Sequence, residues 1–570
     1  MYKELNLIRR RFYAVISLSL IISGFHVSAQ PFQMGNEAVR SKNFYVGIDN
    51  SGDQVKPGEF FNADAMAALG VDFVVYKYRG PKGTIEDEAL KMEQLAHSFE
   101  AKGLNVVINV ETGNWSLDII SKDGHNWVKQ PDNLHLFKFP EPVLTSLNKS
   151  NIIWGIQYDE LEHSQITRNL SITLRNPGVE LVSLAEPTGM DFKTADEVVY
   201  QGAKSLVDEC KRYGTQYVLS EHVWPVLFHN FARAGITPVY KQMKENWSNV
   251  WAACAMGASL QYNQELWACI DFWNHNSFPG HSAEELWGNL LFAYWIGTDK
   301  AYVESIGKHT YEISGDNQIL LKERGEKLSR FAKEYVIENP RPFTFRDFEP
   351  EIAIIRFDDT EWGQGENVYC TVEVKNEQVD SINLYWKDWL FGAYDLNTSP
   401  ESEEWIKAWH TITHGFVKKQ SLSWNAGNIY KNMPHRSFAP VNSPVVFDDM
   451  VTKEYLKTVK LAFLCGLFIS EQTLKDVASL VKNNGLVVVT STRFAPGNFV
   501  EQYTSGTKEF SEGKGKWIIT DDMAGDELKE MVKPWLGRDD EIVYKFSKDR
   551  KVTMKISSDG DELEIFRTNF

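Results

Sequence analysis

From residue 44 onward, short apolar runs alternate with stretches whose apolar positions return at helical spacing. The strand-like runs are Phe44–Asp49, Val71–Tyr78, Asn105–Val110, Ile152–Tyr158, Glu180–Leu184, Gln216–Leu219, Ile236–Tyr240 and Leu266–Phe272. Helical periodicity fills Ile85–Lys102, Ala195–Tyr213, Pro225–Ala234 and Trp247–Leu260, and Ala283–Ile296 follows the last run. Gly103, Gly214 and Gly235 stand where helix stops are expected. Strands apolar throughout are buried on both faces, as in a parallel sheet covered by helices. Eight such units predict an α/β fold that opens with a (β/α)8 TIM barrel over 35–340.

The segment Glu338-Asn-Pro-Arg-Pro-Phe-Thr-Phe-Arg346 carries two prolines and no periodicity, which places a domain boundary there. Beyond it a second α/β pattern spans 350–540. Its strands are expected at Ile352–Arg356, Val445–Phe447, Val459–Cys465 and Gly485–Ser491, and its helices at Glu403–Ile412 and Glu471–Lys482. Residues 541–570 alternate as "EIVYKFSKDRKVTMKI" does, the pattern of a small β appendage. At the other end, residues 1–29 read as a signal peptide. Arg9-Arg10-Arg11 precede an apolar run from Phe12 to Val27, and Val27-Ser28-Ala29 supplies small residues for cleavage. That run is short for a membrane span and no cysteine stands at the cleavage point, so a periplasmic or secreted protein with no membrane partner is expected.

Composition narrows the chemistry. The 570 residues are 43% hydrophobic and 13% aromatic, ample for buried cores. A net charge of -17 repels phosphate backbones, which excludes nucleic acid as the expected partner. Cys210, Cys254, Cys269, Cys370 and Cys465 are odd in number and scattered, as buried thiols are, and do not suggest a disulfide framework. Eighteen Trp and 22 Tyr suit either sugar faces or aromatic cores.

In a barrel of this kind the active site forms at the C-terminal ends of the strands. Those ends supply Asp49 and Asn50, Tyr78 and Arg79, Glu111 and Asn114, Asp159, Glu160 and Glu162, Glu186, Glu221 and His222, Lys244 and Glu245, then Asp271, Trp273, Asn274 and His275. A structural barrel has no need to gather so many acids, because like charges repel. Two carboxyls facing each other across a cleft split an acetal with neither metal nor cofactor: one protonates the leaving oxygen, and the other attacks carbon or activates water. No H-E-x-x-H, G-x-S-x-G or G-x-x-x-x-G-K-[ST] motif offers a competing chemistry. Asp49, Tyr78, Arg79, Glu111, Asn114, Asp159, His222, Trp273 and Asn274 are the expected substrate-binding residues, with no metal ligands among them. Trp115, Trp224 and Trp247 are further candidates for sugar stacking, and Arg79 and Lys244 either bind an acidic sugar or pair with the acids.

"WGIQYDE" and "TPVYKQMKENW" resemble the acid/base and nucleophile strands of clan A (β/α)8 glycoside hydrolases, which carry a glutamate at the ends of strands four and seven. The resemblance implies Glu160 as acid/base and Glu245 as nucleophile in a retaining reaction, although Asp159 stands where the clan often has Asn. "YLKTVKLAFLCGLFISEQTLKDVASLVKNNGLVVVTST" is similar to the glutamine-amidotransferase-like, flavodoxin-like domain behind the barrel of family 42 β-galactosidases. That implies a non-catalytic domain through which copies of the chain associate, and Cys465 outside any G-x-C-x-G setting is read as inert. "LSEHVW" resembles family 98 endo-β-galactosidases; it implies an inverting endo-glycosidase with Glu221 beside Glu160. The expected function is cleavage of a plant or host glycan. A carbohydrate-binding protein on a decayed barrel is the alternative that lacks paired acids.

Overall fold

A computed structural model of the protein describes residues 43–49, 63–78, 84–110, 139, 141–162, 165, 184–185, 187, 190–222, 224–244, 247–272, 281–304, 307–316, 318–358, 403–417 and 436–568. The strands β1 (Tyr45–Asp49), β2 (Phe73–Lys77), β3 (Asn105–Val110), β4 (Ile153–Tyr158), β5 (Tyr217–His222), β6 (Thr237–Gln242), β7 (Trp267–Asp271) and β8 (Lys300–Glu304) form a closed parallel barrel in chain order. The helices α1 (Ala63–Leu69), α2 (Ile85–Glu100), α3 (Glu141–Leu147), α4 (Phe192–Arg212), α5 (Phe228–Ala234), α6 (Ser248–Gln261), α7 (Ala283–Trp295) and α8 (Glu323–Arg330) belong to the same part of the chain.

The (β/α)8 expectation holds, but the strand count needs correcting at two places. Of the proposed strand Glu180–Leu184 only Leu184 is described; it lies in a bend, and Tyr217–His222 is the fifth strand. Leu266–Phe272 is therefore the seventh, and the eighth is Lys300–Glu304. That strand reads Lys-Ala-Tyr-Val-Glu, and only its central Ala301-Tyr302-Val303 forms an apolar run, too short to stand out.

Side chains alternate along each strand between the barrel interior and the helical layer. The lower interior is filled by Phe73, Val75, Val107, Leu219, Val239, Trp267, Cys269 and Tyr302, with Tyr45, Trp154 and Tyr217 packed against them. Gly47 faces this interior, where a Cβ would run into the ring of Phe73. At the base the Lys300 Nζ lies 4.6 Å from the Trp267 ring centre, 4.9 Å from Tyr217 and 5.3 Å from Trp154, and pairs with Glu265. Tyr217 and the Trp267 indole each donate to the same carboxylate at 2.8 Å, so the buried charge is fully partnered.

One irregularity decides what the upper interior contains. Val106 pairs with Ile153 but Val107 pairs with Gly155, a bulge that gives β4 an extra residue at Trp154. A shift of one residue exchanges the two faces of a strand. After the bulge Gln157 lies level with Asn109 on the inside, while Ile156 and Tyr158 join the core beneath the helices.

The second α/β region contains β11 (Ile352–Arg356), β13 (Pro444–Asp448), β14 (Leu461–Cys465), β15 (Val487–Thr490), β16 (Thr507–Glu512) and β17 (Gly515–Thr520) in the order β13-β11-β14-β15-β17-β16. All pairs are parallel except the edge strand β16, and the first strand sits between the second and third, the flavodoxin-type order. Its helices are α9 (Glu404–Ile412), α10 (Glu471–Asn484) and α11 (Asp526–Val532). Nothing in this order singles out a glutamine-amidotransferase or the family 42 arrangement. β18 (Glu541–Phe546), β19 (Arg550–Ile556) and β20 (Leu563–Thr568) form an antiparallel meander; β12 (Val441–Asn442) adds to β18, so the C-terminal sheet reaches back beyond residue 541. Two further short strands, β9 (Tyr311–Ile313) and β10 (Ile319–Leu321), form a hairpin.

Helix α6 joins the two parts of the protein. Ser248 through Ser259 are all buried, and the sequence is rich in Ala, because one side lies on β6 and the other on β13. Asn249 exchanges hydrogen bonds with the Ala439 backbone at 2.9 and 3.2 Å, and the His229 ring reaches the Val446 carbonyl at 3.1 Å. Residues Asn43–Phe570 accordingly form one compact unit.

Candidate active site

Each strand ends its inward row with a polar side chain. These are Asp49, Lys77, Asn109, Asp159 just past β4, Glu221, Lys241, Asp271 and Glu304, and all are buried. Lys241 is the centre of the group. Its Nζ lies 2.9 Å from Glu160 Oε1, 3.1 Å from Asp271 Oδ2, 3.2 Å from Glu221 Oε1 and 3.5 Å from Glu304 Oε2. Lys77 holds the other side, 3.1 Å from Glu304 Oε1 and 3.8 Å from Asp49 Oδ2. Gln157 donates to Glu221 Oε2 at 3.0 Å and to the Tyr302 hydroxyl at 2.8 Å, and Tyr302 donates in turn to Glu221.

Electrostatics sort these groups. Burial alone would lower the Lys241 pKa, but Asp271, Glu160, Glu221 and Glu304 raise it well above the ordinary lysine value, so it stays an ammonium. A lysine held in that state is a poor nucleophile. Burial would likewise raise Glu304, and the charges of Lys241 and Lys77 overcome it to hold this acid below its usual range. Asp159 behaves in the opposite sense. Burial, then the neighbouring Glu221 with which it shares a hydrogen bond, raises its pKa well above the carboxylate range. Two carboxyls in hydrogen-bond contact must share a proton, and Asp159 holds it.

Glu221, Cys269 and Glu304 bring donor atoms within 4.8 Å of one another, a spacing compatible with a metal ion. The Lys241 ammonium already lies against both carboxylates. Burial and the same acids push the Cys269 thiol pKa up, so it remains protonated and donates to Glu304 at 3.3 Å. This trio is a lysine-neutralised cluster.

The residues expected from sequence fall into three groups. Asp49, Asp159, Glu160 and Glu221 gather in the mouth. Glu160 turns back over Lys241 from a backbone φ of 45°, left-handed for a non-glycine residue. Tyr78, Glu162 and His222 instead belong to the layer between strands and helices. Tyr78 donates to Glu88 on α2 at 3.2 Å and packs on Phe139. His222 stacks on Phe228 with ring centres 3.8 Å apart and bonds the Val226 carbonyl at 2.9 Å, and burial lowers its pKa to about 3, so it is neutral. Glu162 accepts from the Trp224 backbone at 3.0 Å.

The third group comprises Arg79, Glu111, Asn114, Trp115, Glu186, Glu245, Trp273, Asn274 and His275, which lie outside the described residues. Glu245 follows the sixth strand; the seventh ends at Asp271. Trp224 and Trp247 are buried in the core, and Lys244 pairs with Glu285 at 3.3 Å and Asp561 at 3.7 Å. The four described cysteines are buried free thiols, and Cys465 packs against Met523. Lys77, Asn109, Gln157, Lys241 and Glu304 were not singled out from sequence. Stepping forward by two along the inward row would have reached Lys241 from Val239 and Lys77 from Val75.

The fold and the site define a (β/α)8 barrel with a charged, carboxyl-rich mouth. No protein-family model matches the chain, and no curated protein matches it. Solved structures similar to it include an exo-beta-1,4-mannosidase from Opitutaceae bacterium strain TAV5, at 11% identity and a TM-score of 0.44, covering 91% of each chain. A GH5_18 protein from Streptomyces cattleya, solved in complex with GlcNAc, shares 13% identity with a TM-score of 0.34 over 53% of this chain and 79% of its own. An endo-beta-1,4-mannanase from Thermotoga petrophila shares 10% identity with a TM-score of 0.33 over 55% and 83%. Likeness at this level carries no argument about activity, which rests on the site itself.

Proposed function

We propose that the chain is a glycoside hydrolase whose general acid is Asp159 and whose opposed carboxylate is Asp271. One observation carries the reading: Lys241 touches Glu160, Glu221, Asp271 and Glu304, whereas Asp159 is bound to the carboxyl of Glu221 and holds a proton. Two carboxyls in different environments are what acid-assisted acetal cleavage requires. Strands four and seven are well separated around an eight-stranded barrel, so Asp159 and Asp271 approach a bound sugar from different sides. This also fits the strand-four and strand-seven placement of the clan A resemblance, with Asp271 replacing Glu245 after the corrected count.

In the reaction, the Asp159 O–H gives its proton to the glycosidic oxygen as the bond to the anomeric carbon breaks. Asp271, paired with the Lys241 ammonium at 3.1 Å, attacks that carbon or takes a proton from the water that does. Retention, the outcome expected from sequence, requires Asp271 itself to attack; water then releases the sugar while Asp159 takes up the proton. Glu160 serves as a hydrogen-bonded partner of Lys241. Activity on a plant or host glycan outside the cytoplasm is part of this reading, supported by the N-terminal export pattern.

The test is a glycan and aryl-glycoside panel read against Asp159→Asn, Asp271→Asn and Glu160→Gln. Asp159→Asn should lose about 10²- to 10⁴-fold in kcat on substrates with poor leaving groups, and much less where the aglycone leaves without a proton. Full activity of Asp159→Asn on natural glycans would overturn the assignment. The anomer first released reports which role Asp271 takes.

A further inference from the structure

The wall between β3 and β4 carries acceptors that the described residues leave unused. Asn109 and Gln157 are register partners on these two strands, and Asp159 follows Gln157 by two positions on the same inward row. The side-chain oxygens Asn109 Oδ1, Gln157 Oε1 and Asp159 Oδ1 are buried and meet no hydrogen-bond donor among the described residues. For Gln157 the amide orientation is determined by its neighbours. Its Nε2 donates both to the Glu221 carboxylate and to Tyr302, whose own proton goes to Glu221, so the oxygen is the atom left over.

A buried acceptor without a donor is destabilising, and three on one wall of the barrel mouth indicate that a ligand supplies the donors. Resting on the glycosidase reading, we infer that Asn109 and Gln157 bind the hydroxyl groups of an uncharged sugar ring and so select against a carboxylated one. A ring hydroxyl donates one hydrogen bond and adds no charge. A uronic acid would bring an anion, with no proton to donate, to a rim whose described carboxyls already outnumber Lys77 and Lys241. The main-chain register of β3 and β4 fixes both amides, so their spacing is a property of the scaffold.

The experiment uses the full chain and the p-nitrophenyl glycosides of glucose, galactose and mannose, each matched with its uronide. The best neutral substrate should exceed its uronide at least tenfold in kcat/KM. Asn109→Ala should raise KM for the neutral substrate by about two- to tenfold, the loss of one neutral hydrogen bond. Deoxy analogues supply a readout that simple loss of structure would not move. At one ring position the wild type should discriminate against the deoxy sugar by the same factor, and Asn109→Ala should not. Equal use of the uronide, or an unchanged KM and undiminished deoxy discrimination in Asn109→Ala, overturns the inference while leaving the hydrolase intact. If no glycoside is cleaved but calorimetry shows neutral sugars binding with the same Asn109 dependence, the inference stands and the hydrolase reading fails. Neither cleavage nor binding of any neutral sugar overturns both.

Discussion

At the scale of single residues, the site is governed by where one ammonium can reach. Four acids around Lys241 hold it as an ammonium, and Asp159, bound to Glu221 instead, is pushed well above the carboxylate range. The pH dependence follows with a definite sign. An acid whose pKa is raised stays protonated into the range where ordinary carboxyls are charged, and activity is lost as the pH climbs through its folded-state value. The kcat/KM profile of the wild type should therefore fall on its alkaline side. The residual activity of Asp159→Asn on activated aryl glycosides should lack that fall. Lys241→Met should leave several buried acids uncompensated and lower stability by about 3–5 kcal/mol at pH 7. The deficit should shrink toward pH 5, because the freed acids take up protons in the folded state; urea unfolding at both pH values checks it. Sequence alone located Asp159, Glu160 and Glu221 through the strand-end rule. Its first choice of Glu160 rested on the strand-four resemblance, and which carboxyl an ammonium from a distant strand meets is not a local property of the sequence.

At the scale of elements, α6 and β4 show two kinds of legibility. Helix α6 was expected at Trp247–Leu260 from its periodicity and occurs at Ser248–Gln261, yet its small residues make sense only beside β13. A Cβ on Gly257 would run into the carbonyl oxygen of Val446. Gly257→Ala should therefore cost about 1–3 kcal/mol, as overpacking does, despite alanine's better helix propensity. Thermal unfolding of the variant should show a lower midpoint, and an unchanged or higher one would refute this tight approach. Strand β4 was found in sequence almost to the residue, but its bulge was invisible there. Were β4 to run on from Ile153 in regular alternation, without the bulge at Trp154, Ile156 and Tyr158 would face inward and Gln157 and Asp159 outward.

At the scale of the whole molecule, the barrel and the second sheet meet across a patch of acids. Asp448 accepts from Tyr262 and Gln261 at the end of α6, and Asp196 on α4 pairs with Arg233 on α5 at 2.9 Å. Beside them burial, then Asp448 and Asp196, push Asp449 up to about 7. Between the ordinary aspartate range near ~4 and this value, the folded protein holds a proton that the unfolded chain has released. Stability from this site therefore declines as pH rises through the window and levels off above it. Asp449→Asn should match the wild type at pH 4 and exceed it at pH 8, and urea unfolding at the two pH values would expose the opposite trend.

Periodicity, turn residues and strand-end chemistry are local properties, and from them the sequence by itself determined the alternating α/β build, seven of the eight barrel strands and an acid-rich rim. Closure of the barrel was decided by pairing. Only the hydrogen-bonded neighbours β7 and β1 identify the Lys-Ala-Tyr-Val-Glu segment as β8, and so move the seventh-strand acid to Asp271. The tertiary structure also decided which side chains share the interior. Two register partners on β3 and β4, one bulge at Trp154 and one lysine on β6 decide which carboxyls of a longer row of candidates share the barrel mouth, because distances across a barrel are set by register and shear.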